Sequence, residues 1–81
     1  MEESDLLQKL KEGNKLAFNH LLALYRDKVI NTCYRFLLDQ ADAEVASQKG
    51  FIKVYQLIKF FRDNAKLSIW VYRIALSKIT L

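Results

Sequence analysis

Lys66, Trp70, Arg73 and Ser77 combine two cations, a flat ring and a hydroxyl at near-helical spacing. On a helix turning about 100° per residue they fall within an arc of roughly 60°. Such a stripe suits a single nucleic-acid strand. Cations neutralise phosphates, and the ring face stacks an unpaired base, worth about 1–3 kcal/mol per base. The same residues have a second use. Trp70 and Tyr72 can be packing aromatics of a small bundle, with Arg73 paired to an acid.

The charge distribution bears on the choice. Residues 1–42 carry six Lys or Arg against seven Asp or Glu, whereas residues 43–81 carry seven against two. A one-sided field draws a polyanion toward the C-terminal half. Solvated surface lysines are the plainer reading. A different surface is expected on the preceding helix, where Val45, Gln48, Lys49, Ile52 and Gln56 project away from the core stripe. Branched apolar residues among amides suit a docked partner helix, or form a weakly amphipathic face.

No catalytic constellation accompanies these surfaces. One His and one Cys cannot make a structural zinc site, and one Cys makes no internal disulfide. His20 is expected at the surface or its boundary, and Cys33 reads as a small core hydrophobe. Ser47, Ser68 and Ser77 are helical and lack a nucleophile-elbow turn. No metal or cofactor is expected, and no enzyme activity.

The elements that must position these residues are helices. The 81 residues are 52% apolar with no Pro and two Gly, enough for one core and too poor in turn residues for an all-β fold. No apolar run is long enough to cross a bilayer, and the acidic start Met1–Leu10 is unlike a signal peptide. A soluble, cytoplasmic protein without a membrane partner is expected. Ser4 would cap a first helix over residues 5–12, with Gly13 as its stop. Asn14 would cap a second over 15–38, its inner face made by Ala17, Phe18, Leu21, Leu22, Tyr25, Val29, Cys33, Phe36 and Leu37. Asp42 is the candidate cap of a third over 43–60, with Ala43, Ala46, Gly50, Val54, Leu57 and Phe61 inward. Asn64 would cap a fourth over 66–80, with Leu67, Val71 and Ile74 inward. The short connections imply an all-α, compact four-helix bundle of mostly antiparallel neighbours.

Asp42-Ala43-Glu44, Gln48, Phe51-Ile52-Lys53-Val54-Tyr55, Phe61-Arg62 and Trp70-Val71-Tyr72-Arg73-Ile74-Ala75 stand in the order and spacing of sigma region 2. With Leu6-Leu7, Leu10 to Asn14, Ala17-Phe18, Leu24-Tyr25 and Val29, the chain resembles, over nearly its whole length, the extracytoplasmic-function group of bacterial sigma-70 factors. The resemblance implies a non-enzymatic transcription-initiation domain with two partners. Asp42, Glu44, Val45, Gln48, Lys49 and Ile52 would dock on the β′ clamp helices of RNA polymerase core. Phe61, Arg62, Asn64, Lys66, Trp70, Tyr72, Arg73 and Ser77 would engage promoter DNA at the minus-ten element and capture its non-template strand as the duplex melts. An anti-sigma factor is a further partner the resemblance implies. Residues 1–81 would be a single region 2 domain. The family's helix-turn-helix region 4 has no counterpart here, so the chain reads as a fragment or a degenerate stand-alone relative.

The chain departs from the family where acids usually follow Glu44 and Gln48, having Val45 and Lys49. Asp63-Asn64 stands where Gly and an acid are usual, and Ser77, Leu67 and Ile69 replace the usual Asn, Phe and Thr. Val45 and Lys49 motivate an alternative, a sigma-like module that binds polymerase or an anti-sigma factor without promoter activity. A duplex-reading helix-turn-helix repressor is a third reading, weakened by the lack of a short Gly-containing turn between helices three and four.

Overall fold

The computed structural model describes residues 2–62 and 66–77. They form four α-helices: α1 (Glu3–Lys11), α2 (Lys15–Leu37), α3 (Gln40–Leu57) and α4 (Leu67–Ala75), with a 3-10 turn at Ile58–Phe60 closing α3. The all-α four-helix expectation holds.

Local chemistry explains most boundaries. Gly13 takes φ +80°. Its N–H donates to the Leu10 carbonyl at 3.0 Å, and Asn14 N–H to the Lys9 carbonyl at 3.0 Å. This paired closure ends α1 and needs a residue without Cβ strain. Asn14 then caps α2, its Oδ1 accepting from Ala17 N–H at 3.0 Å. α1 starts earlier than expected. Glu2, not Ser4, is its N-cap residue, and the acids Glu3 and Asp5 occupy the first turn, where the helix dipole favours them.

The α2–α3 turn is also tighter than expected. Leu38 adopts the left-handed region at φ 56°, and Asp39 caps α3 by accepting from Asp42 N–H at 2.9 Å. Asp42 is therefore a first-turn residue rather than the cap. With reversal this soon, Phe36 and Leu37 are exposed rather than inward.

Leu21, Val29, Cys33, Ala43, Val54, Leu67 and Val71 form the sealed centre of the core. α1 closes one end with Leu6 and Leu10. Ile30, Ser47 and Ala75 are buried as well, beyond the expected inner faces. α4 is shorter than expected. Lys66 holds its N-cap position and Leu76 its C-cap. Asn64, the expected cap, and Thr80, the expected end, lie outside the described residues.

Candidate nucleic-acid and protein-docking surfaces

α4 is held by one apolar edge. Leu67, Val71 and Ala75 recur every four residues and are buried, whereas Ile74 is only half-buried. Across α3, a Cβ on Gly50 would collide with the Ala75 carbonyl oxygen and lie 2.9 Å from both Ala75 C and Cα. The absence of that Cβ lets α4 lie against α3. It thereby sets where the opposite edge of α4 points.

That edge carries the expected stripe in part. Lys66 and Arg73 are exposed and Trp70 is half-buried. The indole packs edge-on against the buried Phe61 ring, centroids 5.4 Å apart and planes at 72°. Trp70 thus packs and remains partly accessible. Arg73 has no ion pair among the described residues, where the sole pair is Arg26–Asp27 at 3.8 Å. Arg62 is exposed beside Phe61. Ser77 falls off the helical stripe. It lies in the turn after α4, and its hydroxyl donates to the Ile74 carbonyl at 2.9 Å. Asn64 lies outside the described residues.

The α3 face is accessible. Val45 is 49% and Ile52 57% exposed, and Asp42, Glu44, Gln48, Lys49 and Gln56 are exposed too. Val45, Gln48, Lys49 and Ile52 follow helical i, i+3, i+4, i+7 spacing, so they share one side of α3. An open groove of about 340 Å³ between α2 and α3 runs beside Gln48 and Ile52, floored by Phe18, Leu22, Ser47 and Phe51.

Two features escaped the sequence reading. Phe60 is 66% exposed, with the Lys59 ammonium 5.3 Å from its ring centre. Lys28, Asn31, Thr32 and Arg35 of α2 line an open groove with Tyr72 and Leu76. Their i, i+3, i+4, i+7 spacing was a usable signal, masked because residues 1–42 as a whole carry no net positive charge. Tyr72 packs edge-on against Tyr25, centroids 5.5 Å apart. Burial, with the nearby Glu3 charge, pushes the Tyr25 phenol above its ordinary pKa, so it stays protonated at neutral pH.

The family description Sigma-70 region 2 matches residues 21–80. The chain is similar to the ECF RNA polymerase sigma factor SigW of Bacillus subtilis, 39% identical over 69 residues, covering 85% of this chain and 37% of that protein. It is 32% identical over 76 residues to the RNA polymerase sigma-H factor of Pseudomonas aeruginosa, covering 94% of this chain and 39% of that one. It therefore spans about two fifths of the length of these relatives. Among solved structures, an engineered region 2 of sigmaE in complex with GTAAAA superposes with TM-score 0.84 at 32% identity, over 99% of this chain and 87% of that one.

Proposed function

The chain belongs to the sigma-70 region 2 family, in the extracytoplasmic-function group, and from that premise we propose that it is the transcription-initiation module that captures the non-template strand of the minus-ten element while docked on RNA polymerase core. The observation that carries the reading is the α4 edge. A half-buried indole braced by Phe61 stands beside Arg73 and Lys66, cations with no acid paired to them among the described residues. A braced ring loses little freedom when a base stacks on it, and the neighbouring cations hold the phosphates that follow. The GTAAAA ligand of the sigmaE neighbour supports the same reading.

Polymerase docking falls to α3, through Asp42, Glu44, Val45, Gln48, Lys49 and Ile52. Acids at the start of the helix and an apolar ridge along it suit a partner helix that is basic at one end and apolar along its length. Where acids are usual, Val45 shifts that contact from charge toward burial, and Lys49 reverses the sign of its charge. An anti-sigma factor would compete for the same ridge.

Fluorescence titration of the 81-residue chain with the single strand GTAAAA, with and without polymerase core, tests the proposal. Trp70→Ala is expected to weaken strand binding by roughly 5- to 150-fold, the equivalent of about 1–3 kcal/mol of lost stacking. Arg73→Ala should weaken it less and reduce its salt dependence. A folded Trp70→Ala/Arg73→Ala variant that binds the strand as the parent does would reject it. Polymerase binding without strand binding would favour the interaction-module alternative.

A further inference from the structure

We propose that the α2–α4 groove is a second anion track, which carries the phosphate backbone of the strand beyond the bases held at α4. The inference rests on the strand-capture reading above and extends it to α2, which that reading leaves without a nucleic-acid role. Lys28 and Arg35 stand on one face of α2 seven residues apart, about 10 Å at 1.5 Å per residue. A stacked strand rises about 3.4 Å per nucleotide, so the two cations span roughly three phosphates.

The side chains suit a polyanion throughout. Lys28 and Arg35 are exposed, and neither has an ion pair among the described residues. Asn31, between them, offers an amide donor to the same groove. Thr32 does not offer its proton, because its hydroxyl donates to the Lys28 carbonyl at 2.9 Å. Among the described residues no carboxylate lines the groove, and its far wall is Tyr72 of α4 and Leu76, the residue that caps it. Tyr72 directly precedes Arg73. The groove therefore continues around α4 from the Arg73 edge, on the side away from the Trp70–Phe61 pair. A strand leaving the stripe in that direction meets cations at once. Among the described residues its lining offers no charged acceptor to a base edge, so it holds the backbone whatever the sequence of bases above it.

The test uses the 81-residue chain with the conservative double variant Lys28→Gln/Arg35→Gln. The control is Lys9→Gln/Lys15→Gln, exposed residues of α1 and the start of α2, which removes the same charge elsewhere. Binding is titrated across salt with GTAAAA and with the same strand lengthened to roughly ten nucleotides by oligothymidine at either end, a site size within that of small single-strand-binding domains. In the parent, one lengthened strand is expected to bind tighter with a steeper salt dependence. The Lys28/Arg35 variant should lose that gain and flatten the log–log salt slope by about 0.7 per cation removed. The control should keep both. Equal gains in the variant and the parent would overturn the track while leaving Trp70-dependent binding of the short strand intact. Short-strand binding that Trp70→Ala leaves unchanged would instead sink the reading beneath it. Undiminished strand binding with weakened polymerase binding in the Lys28/Arg35 variant would overturn the track in favour of an acidic protein partner.

Discussion

At the residue scale, burial separates groups that only hold the bundle from groups that also face outward. Trp70 does both, because Phe61 occupies one edge of its ring and leaves part of it open. Trp70→Phe should preserve most of the packing yet lose part of the stacking surface, so stability and strand affinity should separate. Denaturant unfolding and strand titration on one sample read the two. Cys33 has only the structural role. It is free and fully buried, and burial pushes its thiol pKa up. The folded state therefore disfavours the thiolate. Its contribution to stability is intact below the unfolded thiol's pKa of about 8.5 and is lost as pH rises above it. Thiol-reagent labelling should be slow at neutral pH and should accelerate with denaturant in step with unfolding. Fast labelling of the folded protein would contradict the burial.

At the element scale, α4 is short and depends on its packing against α3. Nine residues are too few to persist alone, so Leu67, Val71 and Ala75 must hold it against α3. Gly50→Ala places a methyl against the Ala75 backbone, which cannot rotate away as a side chain could. A cost of about 1–3 kcal/mol is expected. Strand affinity should also fall, because displacing α4 moves Trp70 and Arg73 together. Thermal unfolding and strand titration check both outcomes. The α2–α3 turn predicts the opposite sign. Leu38 is 75% exposed at φ 56°, where an L residue is strained and glycine is not. Leu38→Gly should stabilise by about 1 kcal/mol, raising Tm by roughly 4–8 °C in a domain this small.

At the scale of the whole molecule, unequal helix lengths decide what is covered. α2 has 23 residues, α3 18 and α4 nine, and the molecule extends 36 Å along its longest axis. α4 ends at Ala75, opposite Gly50 in the middle of α3, and so stops short of the last turn of α2. Phe36 there is 59% exposed, whereas Phe51 is 3% exposed in the core. Phe36→Gln should change unfolding free energy by no more than about 0.5 kcal/mol. Phe51→Ala should cost about 3–5 kcal/mol. Similar losses at both would mean that the end of α2 is covered after all. The division of charge acts at the same scale, since the basic C-terminal half and the α2 groove lie on elements packed together. Cations that are scattered in the sequence thus meet around α4.

Local rules reached as far as local causes act. The helical class, the Gly13 stop, the Asn14 cap and the alternation that buries Leu67 and Val71 follow from side-chain spacing and backbone chemistry within a few residues. So did the exposure of Val45 and Ile52, because helical spacing alone sets them opposite Ala43, Gly50 and Val54. The tertiary structure decided what depends on a neighbour from elsewhere in the chain. The turn at Leu38–Asp39 uncovered Phe36 and Leu37, which periodicity had placed inside. The approach of α4 to α3 at Gly50 chose Ala75 over Ile74 for the core. The pairing of α2 with α4 brought Lys28 and Arg35 beside Tyr72. Periodicity names the face of a helix that is apolar, but only packing determines how far along that face a neighbour reaches.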